Sequence, residues 1–197
     1  MPTDDRNDIT IILRSGVPRT ISLSENGTLF AIGSGVTLAL DGNITLEGRS
    51  LGGNGNENNN THLVRVEEGG ELIMIAGSNI TGNNNISTTG PSYGGAVFVN
   101  AGGSFNMLGG EISGNASARA GGAVHNRGTF RISNGIIHGI NAEGGLGNIA
   151  PGGAALYNYV SDRTEAQRGT FNPAAEFSPL GDVLGSNFTI HATNGRL

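Results

Sequence analysis

The tetrapeptide Gly94-Gly95-Ala96-Val97 returns as Gly121-Gly122-Ala123-Val124 and, with one change, as Gly152-Gly153-Ala154-Ala155, and each copy runs on to an Asn: Asn100, Asn126 and Asn158. Self-similarity at a spacing of about 30 residues constrains architecture more than local propensity does. A unit that short cannot close a core by itself and must stack on its neighbours, so one repeat architecture is expected over residues 1–197.

Within the repeat, apolar residues alternate with polar ones. Val36-Thr-Leu38-Ala-Leu40 aligns with Leu72-Ile-Met74, Phe105-Asn-Met107 and Phe130-Arg-Ile132. A period of two marks half-buried strands. A break follows each (Asp41-Gly42, Gly77-Ser78, Gly109-Gly110, Asn134-Gly135), and then a second short apolar stretch begins at Ile44, Ile80, Ile112 or Ile137. A third stretch precedes each: Leu29–Ile32, Leu63–Val66, Ala96–Val99, Ala123–His125 and Ala154–Tyr157. Three short strands per unit joined by tight corners is the content of a coil of a parallel β-helix, here roughly five to six coils. The earliest partial coil falls at Ile9–Leu13 and Thr20–Leu23, and a last strand is expected at Phe188–His191.

Composition supports an all-β chain with many corners. Gly is 35 of 197 residues without a Gly-X-Y period, aromatic residues are 5% and charged residues 14%. Asn at the turns (Asn43, Asn79, Asn83, Asn115, Asn100, Asn126, Asn158) reads as amide ladders along the stack rather than as a polar binding face. All 11 cations are Arg and the formal charge is −5, which disfavours a nucleic-acid partner. There is no Cys, which excludes disulfides and thiol chemistry. No stretch approaches the ~18 apolar residues of a membrane span.

With Ile112-Ser-Gly-Asn115 followed by Gly121-Gly-Ala-Val124 in view, the chain resembles the glycine-rich passenger repeats of chlamydial polymorphic membrane proteins. It is similar more broadly to β-helical surface repeat proteins of spirochaetes. The similarity covers mainly residues 63–159, and Ile80 and Ile112 stand where the chlamydial repeats carry Phe. What the resemblance implies is a right-handed, single-stranded, pectate-lyase-like β-helix, exported as an autotransporter-like passenger or adhesin. The right hand also follows from the handedness of parallel crossovers.

The unequal segments 49–60, 84–93, 116–120 and 141–151 separate the third stretch of one unit from the first of the next, and should line one edge, the usual place for a binding surface in repeat proteins. Arg49, Tyr93, Arg119 and Glu143 are its informative side chains, offering carboxylate recognition and a stacking surface for a sugar or peptide. The Asn56–Asn60 run reads as a solvated loop. The stretch 160–187 interrupts a unit and carries Phe171, Phe177, Leu180 and Leu184, as a lateral or terminal cover would. His62, His125, His138 and His191 show no metal-ligand spacing, and His125 and His138 read as solvent-facing strand residues. Between Leu63 and Asn141 the acids are Glu67, Glu68, Glu71 and Glu111, too few for the calcium-binding or paired acid–base sets of polysaccharide lyases and hydrolases. The expectation is therefore an extracellular or cell-surface module without catalytic residues, metal or cofactor. Its partners would be host or matrix glycan or protein, with self-association through the ends or edges of the stack. The alternatives are a carbohydrate-active chain that binds or cleaves polysaccharide and a stalk segment of a longer surface protein.

Overall fold

Alternating apolar residues become strands throughout the repeat region. The computed structural model describes residues 8–49, 58–86, 92–140, 142–159, 170–173 and 190–192. The first third of the chain gives β1 (Ile9–Arg14), β2 (Arg19–Ser22), β3 (Phe30–Ile32), β4 (Val36–Asp41) and β5 (Ile44–Glu47). The middle gives β6 (Val64–Val66), β7 (Glu71–Met74), β8 (Asn79–Thr81), β9 (Asn84–Asn85), β10 (Val97–Val99), β11 (Ser104–Ser113) and β12 (Ala116–Ser117). The rest gives β13 (Val124–Asn126), β14 (Thr129–Ile137), β15 (Leu156–Asn158), β16 (Thr170–Pro173) and β17 (Ile190–Ala192).

Copies of the repeat pair with one another, in parallel and in register. Leu38 lies beside Leu72, Leu72 beside Phe105, and Phe105 beside Phe130, whose rings are 4.9 Å apart. Leu46, Ile80, Ile112 and Ile137 form a second inward column, and Val64, Val97, Val124 and Leu156 a third. In the first copy this is two residues away from the expected alignment: Leu38 takes the place expected for Val36, and Leu46 that expected for Ile44. A shift of two leaves the same face inward. One hydrophobic cluster joins the three columns.

The three-strand coil is the expectation that the structure corrects. The strands lie in multi-strand sheets, one of ten strands (β1-β4-β7-β11-β8-β5-β2, with β14, β16 and β17 joined through β14), one of five (β15-β13-β10-β6-β3) and one of two (β12-β9). No closed solenoid is formed among the described residues, and neither the β-helix nor its hand is retained. The reason lies at the glycine breaks. Gly109-Gly110 and Asn134-Gly135, read as corners, lie inside the continuous strands β11 and β14, where the ladder shows only register shifts between Met107 and Glu111. Gly110 and Gly135 have φ of 89° and 113°, so the extra residues are absorbed as bulges and the stretches on either side stay in one sheet. Also unlike the expectation, β17 joins β14 antiparallel.

Of the interrupting stretch 160–187, only Thr170–Pro173 is described, as a strand on β14; the expected cover otherwise falls outside the described residues. Among the described residues no helix is long and apolar enough to cross a membrane. At the first edge of the large sheet, β1 pairs with β4, and Ile9, Ile11 and Ile12 are exposed.

Candidate binding site on the outer face of the five-stranded sheet

In the three-residue strands of the small sheet only the central residue points away from the core. Successive copies fill that position with Arg65, Phe98, His125 and Tyr157. Phe98 and His125 stack with centroids 5.1 Å apart and planes 7° apart, and His125 and Tyr157 stack at 5.1 Å and 21°. His62, just before β6, stacks on Phe98 at 5.1 Å. Tyr93 lies 4.8 Å from His125 and Tyr159 6.3 Å from it. Tyr93, Phe98, His125, Arg127, Tyr157 and Tyr159 line a pocket of about 190 Å³.

The repeated Gly-Gly places these rings. Gly94, Gly121 and Gly153 have φ of 71°, 71° and 56°, left-handed backbone that glycine adopts without a Cβ penalty. A Cβ on Gly95 would stand 2.0 Å from the carbonyl oxygen of Gly122. The loops can therefore pair directly: Tyr93 bridges to Ala120 and Ala120 to Gly152, while Asn59 bridges to Asn85 and Ala116 to Ile149. Described parts of the four unequal segments thus lie side by side.

The site is a neutral aromatic bed with cations at its rim. His125 and His62 are 2% exposed. Burial lowers the His125 pKa to about 3, helped by Arg127 and His62 and opposed by the Ala120 backbone. Burial likewise lowers that of His62 to about 4, with the Tyr93 backbone opposing. Nδ1 of His125 and Nε2 of His62 have no hydrogen-bond partner among the described residues. The expected solvent-facing His125 is thus corrected, because aromatic neighbours on either side close over it. His138 is also largely buried, with Nε2 3.0 Å from Oε1 of Glu111. Arg127 lies 5.1 Å over the Tyr159 ring and Arg119 5.6 Å over the Tyr93 ring, within cation–π range. Ion pairs among the described residues join Arg14 to Asp41, Arg65 to Glu67 and His138 to Glu111, so none engages Arg119 or Arg127.

Of the side chains singled out from sequence, Tyr93 and Arg119 meet here, with Arg119 Nη1 donating to Tyr93 Oη at 3.4 Å. Arg49 is engaged elsewhere, donating to Asn26 Oδ1 at 2.6 Å and to the Asn58 carbonyl at 3.1 Å. Glu143 opens a short 3₁₀ turn, Glu143–Gly145, and is exposed. Sequence reasoning missed Phe98, His125, Tyr157, Tyr159 and Arg127. The signal for Phe98, His125 and Tyr157 was the residue after each Ala-Val or Ala-Leu pair, which is Phe, His or Tyr in three consecutive copies; Arg127 and Tyr159 carried no such signal.

The turn amides hold the scaffold. Asn59 Nδ2 donates to Asn83 Oδ1 at 3.0 Å, Asn115 Oδ1 accepts from the Asn83 N–H at 3.0 Å, and Asn148 Oδ1 accepts from the Asn115 N–H at 3.0 Å. Asn59, expected in a solvated loop, is 2% exposed and part of this ladder.

A second depression, of about 390 Å³, lies over Gly77, Gly110, Glu111 and Gly135. Among the described residues it offers a single carboxylate, Glu111, already engaged by His138, and no aromatic surface. The chain matches no family model, no curated protein and no solved structure.

Proposed function

We propose that this chain is a noncatalytic binding module of a bacterial surface that holds a sugar ring against the outer face of its small sheet. One observation carries the reading: a pocket of about 190 Å³ whose walls are Tyr93, Phe98, His125, Tyr157 and Tyr159. Aromatic walls take the C–H groups of a ring while Tyr hydroxyls and guanidinium groups at the edge take its polar groups. Pockets for drug-sized ligands run to about 300–1,000 Å³, so this one suits a single ring. Among the described residues no carboxylate lines it, and glycoside hydrolysis uses a pair of them.

A glycan array, followed by titration calorimetry on the best ligand, tests the site. Tyr157→Ala should weaken binding at least about tenfold, the loss of one stacked aromatic face. Binding unchanged by Tyr157→Ala and by Tyr93→Ala would refute it. Turnover of a polysaccharide abolished by changing a loop carboxylate would overturn the noncatalytic reading. Antibody labelling of intact source cells tests location, and signal only after lysis would overturn the surface assignment.

A further inference from the structure

We infer that the sugar held at this site carries a carboxylate, as a hexuronic acid does, and that Arg127 and Arg119 read it. The inference rests on the ring-binding reading above and adds what the ring bears.

The argument is one of charge and place. Arg127 and Arg119 are both exposed, lie over Tyr159 and Tyr93 after and before β13, and are engaged by no described carboxylate. A pyranose seated against these aromatic walls directs substituents towards the rim, where Arg127 and Arg119 lie over Tyr159 and Tyr93. The Arg127 main chain is fixed there, its N–H donating to the Val99 carbonyl at 2.8 Å and that of Tyr159 to the Asn126 carbonyl at 2.8 Å. Arginine presents a planar fork matched to a carboxylate, and stacking on Tyr159 orients the fork before a ligand arrives. A guanidinium over a ring face keeps its N–H edges free for an anion, so the cation–π contact and the carboxylate contact do not compete. A neutral His125 contributes no charge at pH 5 to 8, so among the described pocket and rim residues the charge is that of Arg127 and Arg119.

The test compares oligogalacturonate with its carboxyl-reduced, galactose-containing counterpart by calorimetry at low salt, on the whole chain and on Arg127→Gln and Arg119→Gln, with thermal melts as the fold control. The acidic oligomer should bind about tenfold or more tighter, a preference that shrinks as salt rises. Arg127→Gln should weaken binding of the acidic oligomer far more than that of the neutral one, and so remove most of that ratio. Equal binding of both oligomers, still dependent on Tyr157, overturns the carboxylate inference and leaves the ring-binding reading standing. Binding of neither overturns both. A preference for the acidic oligomer that survives both arginine substitutions overturns the assignment to these residues.

Discussion

Replacing His125 by Phe should flatten the pH dependence of stability on the acid side by about one proton. The ring of His125 is packed between Phe98 and Tyr157, both at 5.1 Å, with Tyr93 at 4.8 Å; Arg127, His62 and Tyr159 are the other groups around it, and Arg65 lies beyond Phe98 on the same face. Its pKa of about 3 lies below the unfolded value of 6.5, so between these values the unfolded chain holds a proton that the folded chain lacks. Its contribution is fully present above pH 6.5 and is lost as pH falls towards 3, at about 1.4 kcal/mol per pH unit. From pH 7.5 to 4.5 the loss is about 3 kcal/mol, and His62, lowered to about 4, loses a comparable amount over the same interval. Phe fills nearly the same space and removes the unpartnered Nδ1, so stability at pH 7.5 should change by no more than about 1.5 kcal/mol. Urea unfolding of both proteins at pH 7.5, 5.5 and 4.5 reads the effect. The native chain should lose about 3 kcal/mol more than His125→Phe between pH 7.5 and 4.5, since titrating groups away from this ring contribute equally to both proteins. Parallel stability curves would refute the claim that this ring is kept neutral by burial.

Three further outcomes follow from the same geometry. Asn115→Ala removes the acceptor for the Asn83 N–H and the amide that donates to the Ile80 and Ser113 carbonyls, and should cost about 2–4 kcal/mol in urea unfolding, whereas Asn84→Ala, at a partly exposed amide, should cost under about 0.5 kcal/mol. Gly95→Ala sets a methyl 2.0 Å from the Gly122 oxygen and 2.7 Å from that of Ala116; both are backbone, so a loss of about 2–4 kcal/mol is expected in thermal or urea melts. Ile12→Lys places a charge on the exposed edge strand β1, and sedimentation should show weaker concentration-dependent association than the native chain.

What the sequence disclosed followed one rule, that alternation sets which side chains face inward. Val64, Val97, Val124 and Leu156 are legible as a buried column because each sits at the same offset from a Gly-Gly or turn signal and on the same parity. The two-residue misalignment of Val36 against Leu72 left the face correct for the same reason. The corners were not legible in that way. Gly at φ above zero serves a corner and a bulge equally well, and only the pairing partner distinguishes Gly110 inside β11 from Gly102 in the turn before it. The candidate site was half legible. Tyr93 and Arg119 stand in segments whose unequal lengths drew attention, while His125 and Tyr157 sit inside the repeat, where regularity argued for scaffold. Asn59 and Asn148 escaped because they belong to segments of irregular length, although their amides continue a ladder whose other members, Asn83 and Asn115, are regular.

The spacing of the sheet explains why the rings form a site. Parallel strands lie about 4.8 Å apart, and one outward position per three-residue strand puts successive side chains in a file at that interval. Rings in such a file stack at contact distance, and the observed centroid spacings of 5.1 Å from Phe98 to His125 to Tyr157 are set by the backbone rather than by the rings. A ring so confined loses little further freedom when a ligand covers it, which reduces the ordering cost of binding. The second layer depends on the Gly-Gly signature itself. With no Cβ between Gly95 and the Gly122 oxygen, neighbouring loops approach closely enough for Tyr93 to reach the face of His125. The repeated glycines that mark the scaffold therefore also determine the width of the pocket, and widening the loop pairing at Gly95 or Gly122 should loosen the Tyr93–His125 contact before it disturbs the inward columns.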